Sequence, residues 1–417
     1  MDRIADRELD LALESAGAVL IKGTKWCGKT RTAAERAASI LYLQDINKRQ
    51  AYLKALQTMP SLLLEGETPR LIDEWQEAPI LWDGVRFEVD RRGEHGQFIL
   101  TGSAVPSDDA VMHSGAGRFS KIHMRPMSLF ESSESDGAIS LRSLFDGEEI
   151  KGISSLSIEK LAFALARGGW PASIGEKESI ALRHVRDYLD IVINTDVSRV
   201  DGVEKSPARV IRLMRSVARN VSTAAKLKTI RDDIIGDDAG DSISDKTISS
   251  YMNALERIFV IENLQAWSPS MRSRTALRTS PKLHFVDPSI AAALLRLPPK
   301  GLLNDFNTFG LLFESLCIRD IRVYAQAIDG EVFHYRDRNG LEADAIVQLY
   351  DGRWGAIEVK MGANDIETAA GNLMKLKEKV DMDEMGEPSF LAVVTATEFG
   401  YRRKDGVYVV PIGCLRD

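Results

Sequence analysis

The sequence predicts an α/β chain: an N-terminal block built on a parallel sheet, a helical middle, and a second, separate α/β block at the C-terminus. Three observations carry this expectation. Residues 1–130 alternate short apolar runs with helical stretches, the pattern that lays helices on the faces of a parallel sheet. Residues 131–300 are dominated by amphipathic helical spacing. Residues 301–417 open on a long apolar helix and continue through five short strands interrupted by one helix.

Length and composition agree. The 417 residues suit two to four domains, at about 150 residues each. Hydrophobic content of 44% and charged content of 28% is a globular mix. No apolar run approaches the roughly 18 residues that span a bilayer, and the charged start, MDRIADREL, lacks a secretory core. Cys27, Cys317 and Cys414 are far apart and odd in number, which argues against a disulfide framework and a zinc cluster. The expectation is a reduced, cytoplasmic chain with no membrane contact.

The elements follow in order. AVLI (18–21) reads as a buried strand, KTRTAAERAASI (29–40) as a helix, and LYLQD, RLIDE and QFILTGS as further strands with polar ends. ESSESDG (131–137) reads as flexible. EKLAFALARG ends at Gly168-Gly169, a helix stop before Pro171, and SIALRHVRDYLDIVIN forms another amphipathic helix. In ARVIRLMRSVARNVS, Arg209, Arg212, Arg215 and Arg219 are spaced to share one helix face. SISDKTISSYMNALERIFVIENL reads as a helix capped by Ser244 and running into a strand. NTFGLLFESLCIRDIRVYAQA is the long C-terminal helix. EVFHYR, EADAIVQL, WGAIEVK, SFLAVVT and GVYVVP are strands, with IETAAGNLMKLKEKV as the intervening helix.

Charge is unevenly spread. The net charge of −7 argues against a basic coat over the whole surface. Yet Lys205 to Arg231 holds eight Lys/Arg and no acid, and Ser268 to His284 holds four Lys/Arg and a His. The acidic run DDIIGDDAGDSISD, a second flexible stretch, lies between them. DNA or RNA contact through this basic middle and solvated helix faces are equal readings.

GTKWCGKT, from Gly23 to Thr30, fits G-x-x-x-x-G-K-[ST] and sits between a predicted strand and a predicted helix. Gly23, Thr24, Lys25, Trp26, Cys27, Gly28, Lys29 and Thr30, with Arg31 following, form the candidate nucleotide site. The glycines let backbone N–H groups face phosphates, Lys29 reaches the β- and γ-phosphates, and the Thr30 hydroxyl suits Mg²⁺. RLIDEWQ then places Asp73 to hold Mg²⁺ and Glu74 to orient or deprotonate the attacking water. Thr101 and Ser103 in QFILTGS either sense the γ-phosphate or cap a turn. Arg118, in GAGRFSKI, is either an arginine finger for a neighbouring subunit, which requires a homo-oligomer, or part of a surface ion pair.

These residues carry a resemblance. LIDEWQEAPILWDGVRFEVD, FILTGS and GRFSKIHMRPMSLFE resemble the prokaryotic AAA-type ATPases of the AAA_14 family, usually followed by a DUF4143 region. GGWPAS and SPKLHFVDPSIAAALL resemble elements of that C-terminal region. The resemblance implies an AAA-type P-loop NTPase domain over 1–130, a helical region over 131–205, a winged-helix-like module over 206–300 and a restriction-endonuclease-like α/β domain over 301–417, with ATP and Mg²⁺ bound. Trp75 stands where the family more usually has Ile. Trp26 and Cys27 stand where smaller or more polar residues are common, and Cys27 is expected to make nucleotide binding sensitive to thiol reagents.

The C-terminal block has its own constellation. In AIEVKMG, Glu358 and Lys360 share one strand face; in LEADAIV, Glu342 and Asp344 do the same. The DGRW turn would pair these strands, so that Asp344, Glu358 and Lys360 converge, with Glu314 on the long helix as a further carboxylate. Metal-dependent phosphodiester hydrolysis needs two or three carboxylates and benefits from a cation. The set resembles the PD-(D/E)xK nuclease superfamily, which implies Glu314, Asp344 and Glu358 as metal ligands and Lys360 as a catalytic residue. The competing reading is a domain that kept the fold, lost cleavage, and binds nucleic acid or a partner. Before it, DKTISSYMNALER would be a recognition helix presenting Thr247, Ser249, Ser250 and Asn253, with LRTSPKLH as a wing; a protein-binding role is an equal reading.

The leading expectation is therefore an ATPase that couples nucleotide state to a nucleic-acid-directed, nuclease-like module. The alternative is a nucleotide-gated interaction protein whose nuclease-like domain does not cut.

Overall fold

The strand β1 (Ala18–Lys22) is buried at all but its last residue, as a strand covered on both faces must be. A computed structural model describes residues 2–104, 115–200, 203, 205–235, 244–268 and 280–417. These residues form two compact units. The first comprises Met1–Pro126, Asn194–Lys205 and Tyr251–Val260; the second comprises Met127–Ile193, Ser206–Ser250 and Ile261–Asp417.

In the first unit, β1, β2 (Ser39–Tyr42), β3 (Arg70–Asp73), β4 (Phe98–Gly102) and β5 (Phe119–His123) form one parallel sheet in the order β2-β3-β4-β1-β5. Alternation along the strands feeds two cores. Ala18, Leu20, Ile72, Phe98 and Leu100 pack on one face with Trp75, Leu81 and Trp82. Val19, Ile21, Leu71, Ile99 and Ile122 pack on the other with Leu9 and Cys27. The helix expected over 29–40 stops at Ala34. Sheet pairing overrides its helical composition: Ala38 and Ser39 donate to Pro69 O, and Ser39–Tyr42 then lies beside β3.

In the second unit, the helix Phe306–Gln326 precedes an antiparallel run of β8 (Gly330–Arg336), β9 (Glu342–Leu349) and β10 (Trp354–Lys360). The helix Ile366–Lys379 then leads to β11 (Phe390–Thr395), parallel to β10. With β7 (Gly152–Ile153), β12 (Phe399–Arg402) and β13 (Tyr408–Pro411), these make a mixed seven-stranded sheet. The short strands β6 (Ile139–Ser140) and β14 (Leu415–Arg416) pair separately. The helix of the sheet's core buries Ala369, Leu373 and Leu376 against Trp354, Ile346 and Val393. The described residues are thus α/β, with a five-stranded parallel sheet, a seven-stranded mixed sheet and the two-stranded parallel pair. Among the described residues no helix is long and apolar enough to cross a membrane.

The helical middle contains Ile158–Arg167, Glu178–Ile191, Pro207–Arg219, Leu227–Ile235 and Asp245–Arg257. Ser244 caps the last of these through Thr247 N. The strand expected in FVIENL reduces to two antiparallel bridges, Ile261 with Phe285 and Leu264 with Lys282. The acidic stretch is helical as far as Ile235; residues 236–243 lie outside the described residues, as do 277–279 of the expected wing. Lys282 and His284, counted with a basic surface run, are buried.

ESSESDG is not a loose linker. Glu131, Ser132 and Ser135 are buried, Glu131 accepts from Ser128 N and Oγ, Glu134 pairs with Arg167, and Ser135 Oγ donates to Leu415 O. Nearby, Gly169 fits where a side chain cannot, since a Cβ there would lie 2.0 Å from Met127 O. Its N–H donates to Asp287 Oδ2 at 2.9 Å, which also accepts from Arg319 at 2.8 Å. Arg319 bonds Asp320 in turn, and Asp320 accepts from Leu129 N at 3.0 Å. All three ionisable groups are buried, a state that holds only when the charges are paired and hydrogen-bonded. Burial pushes Asp320 up to about 6 even with Arg319 pulling the other way.

Candidate functional sites

Parallel strands bring their carboxyl ends to one edge, where ligands of open α/β sheets bind. Here the adjacent strands β3, β4 and β1 present Asp73, Thr101 to Ser103, and the loop from Gly23. Gly23 has φ 154°, and a Cβ on it would lie 2.1 Å from Met124 O. Gly28 is left-handed and opens the helix Lys29–Ala34. The backbone therefore follows the turn that the motif requires.

The charges of this loop meet neutral partners. Lys29 is buried, and its Nζ donates to Thr24 O at 2.8 Å. Thr30 Oγ1 and Thr101 Oγ1 both donate to Asp73 Oδ1, at 2.8 and 2.6 Å. Glu74 has a left-handed backbone (φ 54°), its N–H donates to Thr101 Oγ1, and its carboxylate accepts from Ser103 Oγ at 2.9 Å and from Gln76 Nε2. Thr101 and Ser103 thus orient the two acids. A hydroxyl beside a carboxylate is a hard-oxygen donor pair that suits Mg²⁺, and a buried ammonium bonded to a carbonyl suits an added anion. The residues present fit ATP with Mg²⁺.

Other loop residues are placed differently. Lys25 Nζ pairs with Asp196 at 2.6 Å within the same unit. Trp26 is 45% exposed with φ 67°, and Arg31 points to Glu35. Cys27 is fully buried; its Sγ donates to Met124 O at 3.3 Å and its carbonyl accepts from Arg3 at 2.6 Å. A thiol so enclosed does not meet the expectation of an alkylation-sensitive loop. Cys317 and Cys414 are also buried and free. Arg118 forms two hydrogen bonds to Asp90, at 2.8 and 3.3 Å. Of the two readings for Arg118, this geometry is that of the surface ion pair.

The second constellation lies in the other unit. Glu314, Asp344, Glu358 and Lys360 come together, as their spacing suggested. The structure adds Lys282, whose Nζ donates to Glu314 Oε1 at 2.8 Å and to Asp344 Oδ1 at 3.0 Å. Lys360 Nζ lies 2.7 Å from Glu358 Oε2 and 3.8 Å from Asp344 Oδ2, and that oxygen also accepts from Val359 N at 2.9 Å. Glu342 turns to Arg336 at 3.0 Å. Among the described residues no group of three or more His, Cys, Asp or Glu side chains is arranged to hold a metal ion. The expected ligands Glu314, Asp344 and Glu358 instead surround two ammonium groups, so a divalent metal does not fit this cluster as it stands.

Electrostatics follow from burial. Burial, and then the Asp344 charge, push Glu314 and Glu358 above the usual carboxylate range, against the pull of the lysines. Lys282 is raised although burial works against its charge, because Asp344 and Glu314 face it. His284 stands two residues on, with Nδ1 3.1 Å from Ser315 Oγ, and burial holds it well below its ordinary value. Burial and then Lys282 push His334 down to about 4. Lys282 escaped the sequence reading because it sat in a basic run; its alternation with His284 on one strand face was the available signal.

The comparisons with known proteins agree with this architecture. An AAA domain model (AAA_14) matches residues 15–133, a domain of unknown function (DUF8612) matches 158–301, and another (DUF4143) matches 309–415. Uncharacterized proteins of Mycobacterium tuberculosis and Mycobacterium bovis are each 23% identical over 370 residues, covering 86% of this chain and 73% of the relative. Among solved structures, a DNA replication initiation factor gives 14% identity and a TM-score of 0.29 over 60% of this chain and 86% of that one. The ORC2 protein of Aeropyrum pernix gives 13% and 0.31 over 72% and 93%. The chain thus carries an AAA domain (AAA_14) around the Gly23 loop and a DUF4143 domain around Asp344.

Proposed function

We propose that this chain is a Mg²⁺-dependent ATPase that works as a nucleotide-gated switch, with its C-terminal domain serving to bind nucleic acid or a partner. The observation that carries the first half is the convergence of Thr30 and Thr101 on Asp73, beside the buried Lys29. Thr30 and Asp73 would hold Mg²⁺, which supplies charge neutralisation on the phosphates when bound. Lys29 would leave Thr24 O for a phosphate oxygen. Glu74, fixed by Ser103 and Gln76, would accept the proton of the attacking water.

The test is steady-state turnover. Glu74→Gln should cut ATP hydrolysis by about 100-fold while leaving ATP binding intact. Unchanged turnover would remove Glu74 from the mechanism, and loss of binding would point to a structural role.

For the second half, two readings stand. Metal-dependent cleavage of nucleic acid is supported by the gathering of Glu314, Asp344, Glu358 and Lys360. The non-cutting reading is favoured by one specific observation, the Lys282 ammonium between Glu314 and Asp344. Nucleic acid remains the proposed partner class, with the helix Pro207–Arg219 of the helical middle adding to the C-terminal domain; there Arg212 and Arg219 are exposed and Arg209 and Arg215 half-buried. Arg219 is itself paired with Asp233. Salt-dependent DNA or RNA binding, reduced by Arg212→Ala with Arg215→Ala, would support this partner. Nuclease assays with Mg²⁺ or Mn²⁺ decide between cutting and binding.

A further inference from the structure

Lys282 is a built-in group and not a surface lysine resting on acids. Its backbone is clamped by two hydrogen bonds with Leu264, N to O and O to N, each 2.9 Å. The next residue, Leu283, exchanges bonds with Ser222 and Thr223 on the opposite side: Ser222 N donates to Leu283 O at 2.8 Å and Leu283 N to Thr223 O at 2.9 Å. His284 O accepts from Glu262 N at 2.9 Å. The segment is thus held on both edges, and strand alternation sends Lys282 and His284 to the face of the helix Phe306–Gln326. The Lys282 side chain is 5% exposed, with Glu314 at 15% and Asp344 at 9%. In this position the ammonium is enclosed with the two carboxylates it faces.

We infer that Lys282 is the resident cation of the Glu314, Asp344 and Glu358 cluster, occupying the role a divalent metal would fill, and that the C-terminal domain is metal-free in its working state. An ammonium has three donors and no acceptor, and it takes two of those donors to the oxygens on which a metal would depend. A divalent ion held by the same oxygens would sit beside a buried positive charge that already takes them. Lys360 completes the set by covering Glu358 and the second oxygen of Asp344. The cluster therefore fixes the helix Phe306–Gln326 against β9 and β10 by charge pairing. This deepens the non-cutting reading of the same site and does not depend on the ATPase reading.

The test is a Mn²⁺ titration of the full chain without nucleotide, in a Thr30→Ala and Asp73→Ala background that removes the phosphate-loop ligands. Free Mn²⁺ is followed by electron paramagnetic resonance. The parent chain should show no Mn²⁺ site that depends on Asp344. Lys282→Ala should gain one site per chain, at least tenfold tighter than any in the parent, and Asp344→Asn should abolish it. If the alanine variant does not fold, Lys282→Met, which keeps most of the stem's length and removes the charge, takes the same measurement. An Asp344-dependent site in the parent, or no gain in a folded Lys282 variant, overturns the inference. A failed ATPase assignment leaves these outcomes unchanged.

Discussion

The two polar centres use the same side chains to opposite ends. At the phosphate loop, the buried Lys29 ammonium meets a carbonyl and the Asp73 carboxylate meets two hydroxyls. At the C-terminal cluster, each carboxylate meets an ammonium. A ligand site holds charge that the protein itself has not neutralised. A structural site has spent its charges on one another. Carboxylates and lysines on strand ends are therefore not a signature of chemistry until their partners are known.

The largest expected difference between the two centres is in folding stability. Lys282→Ala removes the ammonium shared by two buried carboxylates, leaves Glu314 without it, and should lower the unfolding free energy of the second unit by about 3–5 kcal/mol. Lys29→Ala removes one bond to a carbonyl and should cost only about 1 kcal/mol. Chemical denaturation of both variants measures this contrast; equal losses would break it.

A smaller effect is in pH. His334 and His284 are held neutral by burial near Lys282. A histidine whose folded value is depressed stabilises the fold above its unfolded value, near 6.5, and loses that contribution as pH falls toward the folded value of about 4. At pH 5 the loss through His334 should be about 2 kcal/mol. His334→Gln should flatten this acid limb, read as the slope of unfolding free energy between neutral pH and pH 5. An unchanged slope would show that His334 does not feel the cluster. The smallest effect belongs to Arg118. Arg118→Ala breaks an exposed pair with Asp90 and should leave the melting temperature in place. Collapse of ATP turnover in that variant would instead reinstate it as a residue acting on the nucleotide.

Much of this was legible in the sequence because it is local. β9 and β10 occupy 342–349 and 354–360, the spans read from alternation either side of DGRW. The phosphate loop was legible because glycines and Lys29 at fixed spacing demand one backbone path. What stayed hidden depends on distant partners. Lys282 looks solvated until Glu314, 32 residues on, and Asp344, 62 residues on, are placed around it. ESSESDG reads as a linker until Ser135 finds Leu415, 280 residues away. The helix over 29–40 was cut short because the edge of β3 offered Ser39–Tyr42 a ladder that composition does not report.

The buried chain of bonds from Leu129 and Gly169 through Asp287 and Arg319 to Asp320 has a consequence for inheritance. Leu129 falls in the segment matched as the AAA domain, Gly169 and Asp287 in DUF8612, and Arg319 and Asp320 in DUF4143. Lys282 likewise comes from the segment before the one that holds Glu314 and Asp344. Three stretches that sequence models treat as separate modules share one interior. Shuffling them between relatives would separate charges from their counter-charges, so lineages of this chain should pass these segments on as a single indivisible cassette.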